Sequence, residues 1–427
     1  MTALVRIDAA ATHPADAHAR QQLLAAAAAQ SLDVRGGALL RTSSRLCLGV
    51  EHGDYNGTDL FGVGTDRFLW IAFRPNDRGR VRLFSVNEPQ DGVVEFDPRA
   101  VPAPAAAPAR GWARFPLGAA HVLQRGDGAR AATSLPRGLD AVVFGDIPGG
   151  GMSRSASLSI NLLLVLLLAN GHTPADGDRM RIAQLACAIE NDYVGSPCGL
   201  LDQVMICFAR RDTGTLYSPH TGAVAHVPLG GDPDRQALLC LFTGRARHGL
   251  QNATYPVRRA ECERLLALLR PEFGIACLAD VRSDQQLQAV LQRHGRQHPD
   301  LCARLRYLHS AQQRLARMIA AWRDGDLPTL GDLFRADGHG LRDLYRISGP
   351  ELETMCDIAR TVPGVLGERM LGGGDCGTTG VLALPEAVAA VRAAVATAYP
   401  RSHPEFAAAA AVHACRTTDG IALLPPL

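Results

Sequence analysis

Leu139-Asp140-Ala141-Val142-Val143-Phe144-Gly145-Asp146-Ile147-Pro148-Gly149-Gly150-Gly151-Met152-Ser153-Arg154-Ser155-Ala156 leads from a β-rich run, through a glycine-rich turn, into the apolar stretch Ile160 to Ala169. Leu139 to Phe144 reads as a strand, and from Ser153 the pattern is helical as far as the Asn170-Gly171 stop. Glycines let a backbone approach an anion closely, and a helix N-terminus offers unpaired N–H groups with a favourable dipole. The Ser hydroxyls suit phosphate or Mg²⁺. The loop is neither a Walker loop nor a dinucleotide fingerprint, having no Gly-Lys-Ser/Thr and no G-x-G-x-x-G. Taken alone, it fits a phosphate cradle and an ordinary tight turn equally well.

Working outward, Arg67 to Phe73 and Val81 to Val86 are β-rich runs separated by Pro75 to Gly79, a hairpin or meander signal. Val101 to Pro108 is a Pro/Ala spacer. A helix fits Arg179 to Glu190, with Met180, Ile182, Leu185 and Ile189 on one face. The second half opens on the strand-like run Ala237 to Phe242. Helical stretches follow at Pro256 to Leu269, Asp284 to Arg293, Cys302 to Arg323 and Pro350 to Ala359. Strand signals at Val381 to Leu384 and Gly420 to Leu424 flank a helix at Pro385 to Ala398. The alternation predicts an α+β or α/β chain in two lobes, dividing between about 205 and 235.

At 427 residues the chain exceeds the usual size of one hydrophobic core, which also argues for two packed domains. Its formal net charge of +2 gives no nucleic-acid surface, and every basic side chain other than His is Arg, so Arg must supply any cationic phosphate contact. The 11 Cys show no C-x-x-C pair and no Cys/His spacing suited to zinc, and read as reduced thiols of a cytoplasmic protein. Asp8, His13, Asp16, His18 and Arg20 interrupt the Ala-rich start, which lacks a signal-peptide apolar core. The run Ile160 to Ala169 is too short to span a bilayer.

Three further segments could carry chemistry. In Glu190-Asn191-Asp192-Tyr193-Val194-Gly195-Ser196-Pro197-Cys198-Gly199-Leu200-Leu201-Asp202-Gln203, Pro197 and Gly199 break the helix and a new one starts near Leu200. Asp202 then lies in a first turn, where the dipole favours an ionised carboxylate. Such a group can accept a substrate proton or merely complement the helix end. Arg369-Met370-Leu371-Gly372-Gly373-Gly374-Asp375-Cys376-Gly377-Thr378-Thr379-Gly380 suits backbone packed against a ligand or another loop, or a plain connector. Arg45-Leu46-Cys47-Leu48-Gly49-Val50-Glu51-His52-Gly53-Asp54-Tyr55-Asn56 places two acids and a His where they can bind a polyhydroxylated ligand or form a solvated turn.

In this order, the segments resemble the GHMP kinases, and within them the galactokinase branch. Glu51-His52-Gly53-Asp54-Tyr55-Asn56 is similar to that branch's Glu-His-Thr-Asp-Tyr-Asn, and Pro148 to Ala156 to its Pro-x-Gly-x-Gly-Leu-x-Ser-Ser-Ala ATP loop. Pro197 to Gln203 resembles Pro-Cys-Gly-Ile-Met-Asp-Gln, and Arg369 to Gly377 resembles Arg-Met-Thr-Gly-Gly-Gly-Phe-Gly-Gly. Arg247-His248 with Tyr255 to Cys262 matches a further stretch, and Trp112 with Gly118 resembles a Trp-x-x-Tyr-x-x-Gly piece, here with Phe115 for Tyr. The likeness runs from about Arg45 to Thr418.

The resemblance implies an α+β, two-lobed GHMP kinase fold: a ribosomal-protein-like N-terminal domain at 1–210 and a ferredoxin-like C-terminal domain at 211–427. It implies an ATP-dependent sugar kinase acting at the anomeric hydroxyl, with Mg²⁺, a small-molecule acceptor, no nucleic-acid or membrane partner, a cytoplasmic location and a monomeric or homodimeric state. Asp202 falls on the catalytic Asp and Arg45 on the Arg paired with it. Ser155 and Glu190 fall on the Mg²⁺ partners. Gly149, Gly150, Gly151, Ser153, Arg154 and Ser155 fall on the ATP-phosphate loop, and Trp112 near the adenine. Glu51, His52, Asp54, Gly199 and Tyr255 fall on acceptor contacts.

Several positions depart from the pattern. The ATP loop is one residue short between Pro148 and Gly151, and Arg154 replaces a Ser. Thr42-Ser43-Ser44 replaces Ala-Pro-Gly before Arg45, Gly53 replaces Thr, and Gly244-Arg245-Ala246 replaces Asn-Ser-Asn/Val. Asp375 and Cys376 stand for Phe and Gly. These changes surround the acceptor, so another hexose, a uronic acid, an amino sugar or a cyclitol competes with galactose, and a non-catalytic sugar and ATP sensor is the alternative of another class.

Overall fold

Alternation along one strand decides how the first sheet is covered. Leu69, Ile71 and Phe73 join the main apolar core, whereas Phe68, Trp70 and Ala72 face a second cluster with Ala19, Leu23 and Ala27 of an N-terminal helix. The computed structural model describes residues 4, 12–108, 111–126, 132–245 and 254–427; Arg247 and His248 lie outside the described residues.

The strands, in chain order, are β1 (Ala38–Gly49), β2 (Leu60–Asn76), β3 (Val81–Ser85), β4 (Val93–Phe96), β5 (Gly138–Gly145), β6 (Thr213–Ser218), β7 (Ala223–Pro228), β8 (Ala237–Phe242), β9 (Val365–Met370), β10 (Thr378–Ala383), β11 (Ala411–Cys415) and β12 (Ile421–Leu424). The helices are α1 (Pro14–Ala29), α2 (Arg114–Arg125), α3 (Arg154–Ala169), α4 (Arg179–Ala188), α5 (Leu201–Cys207), α6 (Thr254–Phe273), α7 (Asp284–His294), α8 (Pro299–Asp324), α9 (Leu327–Gly340), α10 (Pro350–Arg360) and α11 (Ala387–Ser402). An eight-stranded sheet runs β12-β1-β2-β5-β3-β4, with β6 also on β2 and β7 on β6. A four-stranded sheet runs β11-β8-β10-β9. Apart from the parallel pair β3–β5, neighbouring strands are antiparallel.

This is an α+β chain with two sheets, but residue 210 is not where they divide. β6, β7 and β12 all belong to the first sheet, and Thr42 of β1 is paired with Ile421. The second sheet buries Leu239, Leu241, Val381 and Ala383 under α10 and α11 and turns Leu238, Cys240 and Leu382 toward the main core. The run Ile160 to Ala169 forms most of α3, which is buried almost all round, as an apolar helix at the centre of a large core should be. Two of its polar side chains tie it to the sheet: Ser157 meets the Thr42 hydroxyl at 2.6 Å and Asn161 donates to the Leu69 carbonyl at 2.9 Å.

A buried ion pair ties α1 to the sheet. Asp16 Oδ2 accepts from Arg41 Nη1 at 2.7 Å, and Oδ1 accepts from Trp70 Nε1 at 2.7 Å. Asp16→Ala removes one partner of this buried pair, and with it the acceptor of Trp70 Nε1, and is expected to cost roughly 3–5 kcal/mol, the scale for one partner removed from a buried pair. Urea denaturation reads this directly; a loss no larger than the ~1 kcal/mol of a surface pair would contradict it.

Candidate active site

The glycine-rich turn after β5 is shaped by contact with the turn between β9 and β10. Gly151 has φ +79° and Gly372 φ +71°, and a Cβ on Gly372 would lie 2.5 Å from the Gly151 Cα. Only two glycines allow that approach. Thr378 Oγ1 donates to the Gly150 carbonyl at 2.7 Å, on the same seam. The first loop then enters α3 through Ser153, a non-glycine residue at φ +59° whose buried Oγ has no hydrogen-bond partner. Ser155 lies in the first turn of α3. Arg154 Nη2 reaches Glu88 Oε1 at 3.3 Å, each side chain being about one-third exposed.

At the other side of this loop, Arg45 of β1 is fully enclosed. Its Nε and Nη2 both donate to Asp202 Oδ1, at 2.8 and 2.6 Å, and its Nη1 donates to the Gly151 carbonyl at 2.8 Å. Burial by itself would lower the Arg45 pKa, but Asp202 and Glu51 reverse this and raise it, so the guanidinium stays charged. Asp202 lies in the first turn of α5, as its sequence context predicts, and its side chain keeps 30% exposure.

Glu190 approaches the same region from a different backbone. The helix expected to reach Glu190 is α-helical only to Ala188 and continues as a π turn, Ile189–Val194. Within that turn Asn191 clamps the following loop, accepting from Cys198 N at 2.7 Å and donating to its carbonyl at 3.1 Å. Gln203 Nε2 donates to Glu190 Oε1 at 2.8 Å, and Ser155 is a further hydrogen-bond partner. Burial pushes the Glu190 carboxyl up to about 7, opposed by those hydrogen bonds and reinforced by the Asp202 charge. No basic side chain among the described residues pairs with it. A buried acid beside a hydroxyl and a second acid is a donor set whose chemistry would suit a divalent cation, with Ser155 and Glu190 as the residues that would hold it.

The acceptor signature lies directly beneath. Glu51 Oε1 accepts from Gly372 N at 2.9 Å, with Arg45 at 3.8 Å and Arg369 at 3.7 Å. Burial raises the Glu51 pKa, and both arginines and the Gly372 N–H oppose the rise. Asp54 Oδ2 accepts from Leu201 N at 3.2 Å, and a Cβ on Gly199 would lie 1.8 Å from that oxygen. Gly199 is therefore the residue that lets the acceptor signature meet the loop before Asp202. His52 stacks at 5.1 Å on Tyr345 and lies 5.2 Å from Tyr255, with Nδ1 at 3.0 Å from the Tyr55 hydroxyl.

Arg45, Gly151, Glu51, Asp202, Glu190, Ser155, Asp54 and Gly199 are thus linked by contact, and His52, next to Glu51, packs against Tyr255. Trp112 is not linked to the Asp202 group by any hydrogen bond among the described residues; its N–H is held by Asp91 Oδ2 at 3.3 Å and its buried Nε1 has no partner. Sequence reasoning missed Asn191 and Gln203, both inside a quoted motif, and Tyr345, for which no local signal exists.

Comparison with known proteins matches residues 114–210 to the GHMP kinases N terminal domain. A Chloroflexus aurantiacus galactokinase is 32% identical over 365 residues, covering 84% of this chain and 87% of that protein. One from Lactiplantibacillus plantarum is 30% identical, covering 81% and 85%. This chain is a GHMP kinase of the galactokinase-like branch. The solved structure of Lactococcus lactis galactokinase complexed with galactose superposes with a TM-score of 0.84 at 26% identity, over 96% of this chain and all of that one. Methanococcus jannaschii mevalonate kinase shares the fold at a TM-score of 0.61 and 13% identity. As a member of this branch, the GHMP kinase is an ATP-dependent sugar kinase. No helix among its described residues is long and apolar enough to cross a membrane.

Outside the site, His220, Cys277 and Asp280 bring ligand atoms within 4.8 Å of one another. Asp280 Oδ2 is engaged by Ala276 N and Cys277 N, at 2.8 and 3.1 Å, so the group reads as a capped turn.

His52 gives the site a pH signature. Burial, then Arg369, pushes its imidazole down to about 3. The unfolded chain takes up a proton near 6.5 and the folded chain does not, so this residue's contribution to stability is whole above pH 6.5 and is lost as pH falls toward 3. His52→Asn is expected to flatten the dependence of the urea midpoint on pH across that window; an unchanged slope would place the imidazole in water.

Proposed function

We propose that this kinase transfers the γ-phosphoryl group of ATP to the anomeric hydroxyl of galactose or a closely related hexose, giving a sugar 1-phosphate and ADP. The observation that carries the reading is the Asp202–Arg45 arrangement. Both Arg45 bonds go to one oxygen, Oδ1, which leaves Oδ2 of a partly exposed carboxylate free to accept the acceptor's proton. Arg45 also spans from Asp202 to the Gly151 carbonyl, so the base and the phosphate loop are held in one register.

Phosphoryl transfer depends on alignment and charge neutralisation more than on covalent help from protein. The start of α3 and the loop Gly149 to Ser155 would receive the phosphates, and Trp112 and Arg154 would flank the nucleotide. Mg²⁺, held by Ser155 and Glu190, would neutralise phosphate charge when bound. Glu51, His52, Asp54, Gly199 and Tyr255 would orient the sugar. Because His52 is neutral near pH 7, it can both donate and accept there. The galactokinase names of the relatives support galactose as the first acceptor to test.

ADP release across galactose, other hexoses, uronic acids, amino sugars and cyclitols tests the acceptor. Turnover strongest on a cyclitol or uronic acid would move the assignment within the kinases, and ATP binding with no turnover on any acceptor would favour a sensor. Asp202→Asn should lower kcat by roughly 10²- to 10⁴-fold, the span for losing a general base, with ATP affinity retained. Near-normal turnover would remove Asp202 from the mechanism. Asp54→Ala should raise the acceptor KM; unchanged acceptor kinetics would place Asp54 outside the sugar site.

A further inference from the structure

The turn between β9 and β10 carries Asp375 where the resembling pattern has Phe, and this carboxylate is turned to a specific use. Its backbone has φ +59°, a left-handed conformation that Asp tolerates better than bulky residues. The Asp375 N–H donates to the Ile347 carbonyl at 2.8 Å, and a Cβ on Gly349 would lie 1.8 Å from the Asp375 carbonyl oxygen. The 347–349 segment therefore clamps it. Both side-chain oxygens then go to one residue of a distant helix. Oδ2 accepts from Thr254 N at 2.6 Å, and Oδ1 accepts from the Thr254 hydroxyl. Thr254 is the first described residue of α6, so a carboxylate from another element holds that end of the helix where the described residues begin.

The next residue is Tyr255. Its ring is buried, 5.2 Å from His52 and 5.7 Å from Tyr55. The other end of the same turn packs on Gly150 and Gly151 and donates from Gly372 N to Glu51. We propose that Asp375 is a positioning residue for the acceptor: by holding the first turn of α6 it sets Tyr255 against His52, and it couples that setting to the turn that supports the phosphate loop. An apolar residue at this position could not accept either Thr254 bond. The proposal rests on the reading of His52 and Tyr255 as acceptor contacts.

The test is steady-state kinetics of the full chain with its best sugar, for wild type, Asp375→Ala, Asp375→Asn, Thr254→Ala and Thr254→Ser, with thermal melting alongside. Asp375→Ala should raise the acceptor KM on the order of tenfold, the scale of a lost charge-assisted hydrogen bond, while the ATP KM and kcat stay within about twofold. Thr254→Ala should give a smaller rise and Thr254→Ser, which keeps the hydroxyl, should restore the wild-type value. An unchanged acceptor KM in Asp375→Ala overturns the proposal. So does a parallel rise in both KM values with a fall in melting temperature, which is the mark of a merely structural role. If the Ala variant does not fold, Asp375→Asn and the Thr254 pair carry the same comparison, and equal acceptor KM in Thr254→Ala and Thr254→Ser overturns it. A wild type that turns over no sugar refutes the functional reading and this proposal with it; an active wild type with insensitive variants refutes this proposal alone.

Discussion

A row of charges of alternating sign, starting at the partly exposed Asp202 and otherwise largely enclosed, runs into the molecule, and the loops of the site are arranged along it. Asp202 meets Arg45 at 2.6 Å, Arg45 lies 3.8 Å from Glu51, Glu51 lies 3.7 Å from Arg369, Arg369 lies 3.6 Å from Asp337, and Arg314 closes the row at 3.0 Å. Each ion gives up hydration on burial, and each is compensated by neighbours of opposite sign. The arrangement is therefore all or nothing: a missing member strands the charges on either side. Because Arg45 is on β1, Arg369 on β9, Asp337 on α9 and Arg314 on α8, the row crosses from the first sheet to the second. The orientation of Asp202 is in this way tied to α8 and α9.

That row also explains why the turns could be so rich in glycine. Arg45 takes the Gly151 carbonyl and Glu51 takes the Gly372 N–H, so two glycine-rich turns are held by hydrogen bonds to charged groups beside the one from Thr378. Charge supplies the fixing that packing cannot provide where Cβ atoms are absent.

Much of this was legible in the sequence where periodicity or spacing carried it. The apolar run of α3, the strand Leu139 to Phe144 and the helix start just before Asp202 follow from local pattern alone. Helix α9 did not, because Gly331, Gly338 and Gly340 lower helix propensity; there the glycines serve packing, a Cβ on Gly331 meeting Leu366 at 2.5 Å and one on Gly338 meeting Arg369 at 2.6 Å. The π turn that carries Glu190 is equally hidden, since one extra residue in a helical turn leaves no compositional mark. For the site, the motifs named Asp202, Arg45 and Glu190, but the members of the charge row on α8 and α9 lie in segments with no motif. Only folding brings them together.

The pairing of β12 with β1 has a consequence for how the chain comes into being. Arg45 lies on a strand whose other edge is completed by residues near 421, so synthesis passes through more than 370 positions before that edge is covered. Until then the strand bearing the central arginine is an open edge in a nascent chain, free to pair wrongly. Every other strand of the first sheet precedes β12 in the chain, so the sheet that carries Arg45 closes only after all of them have been made.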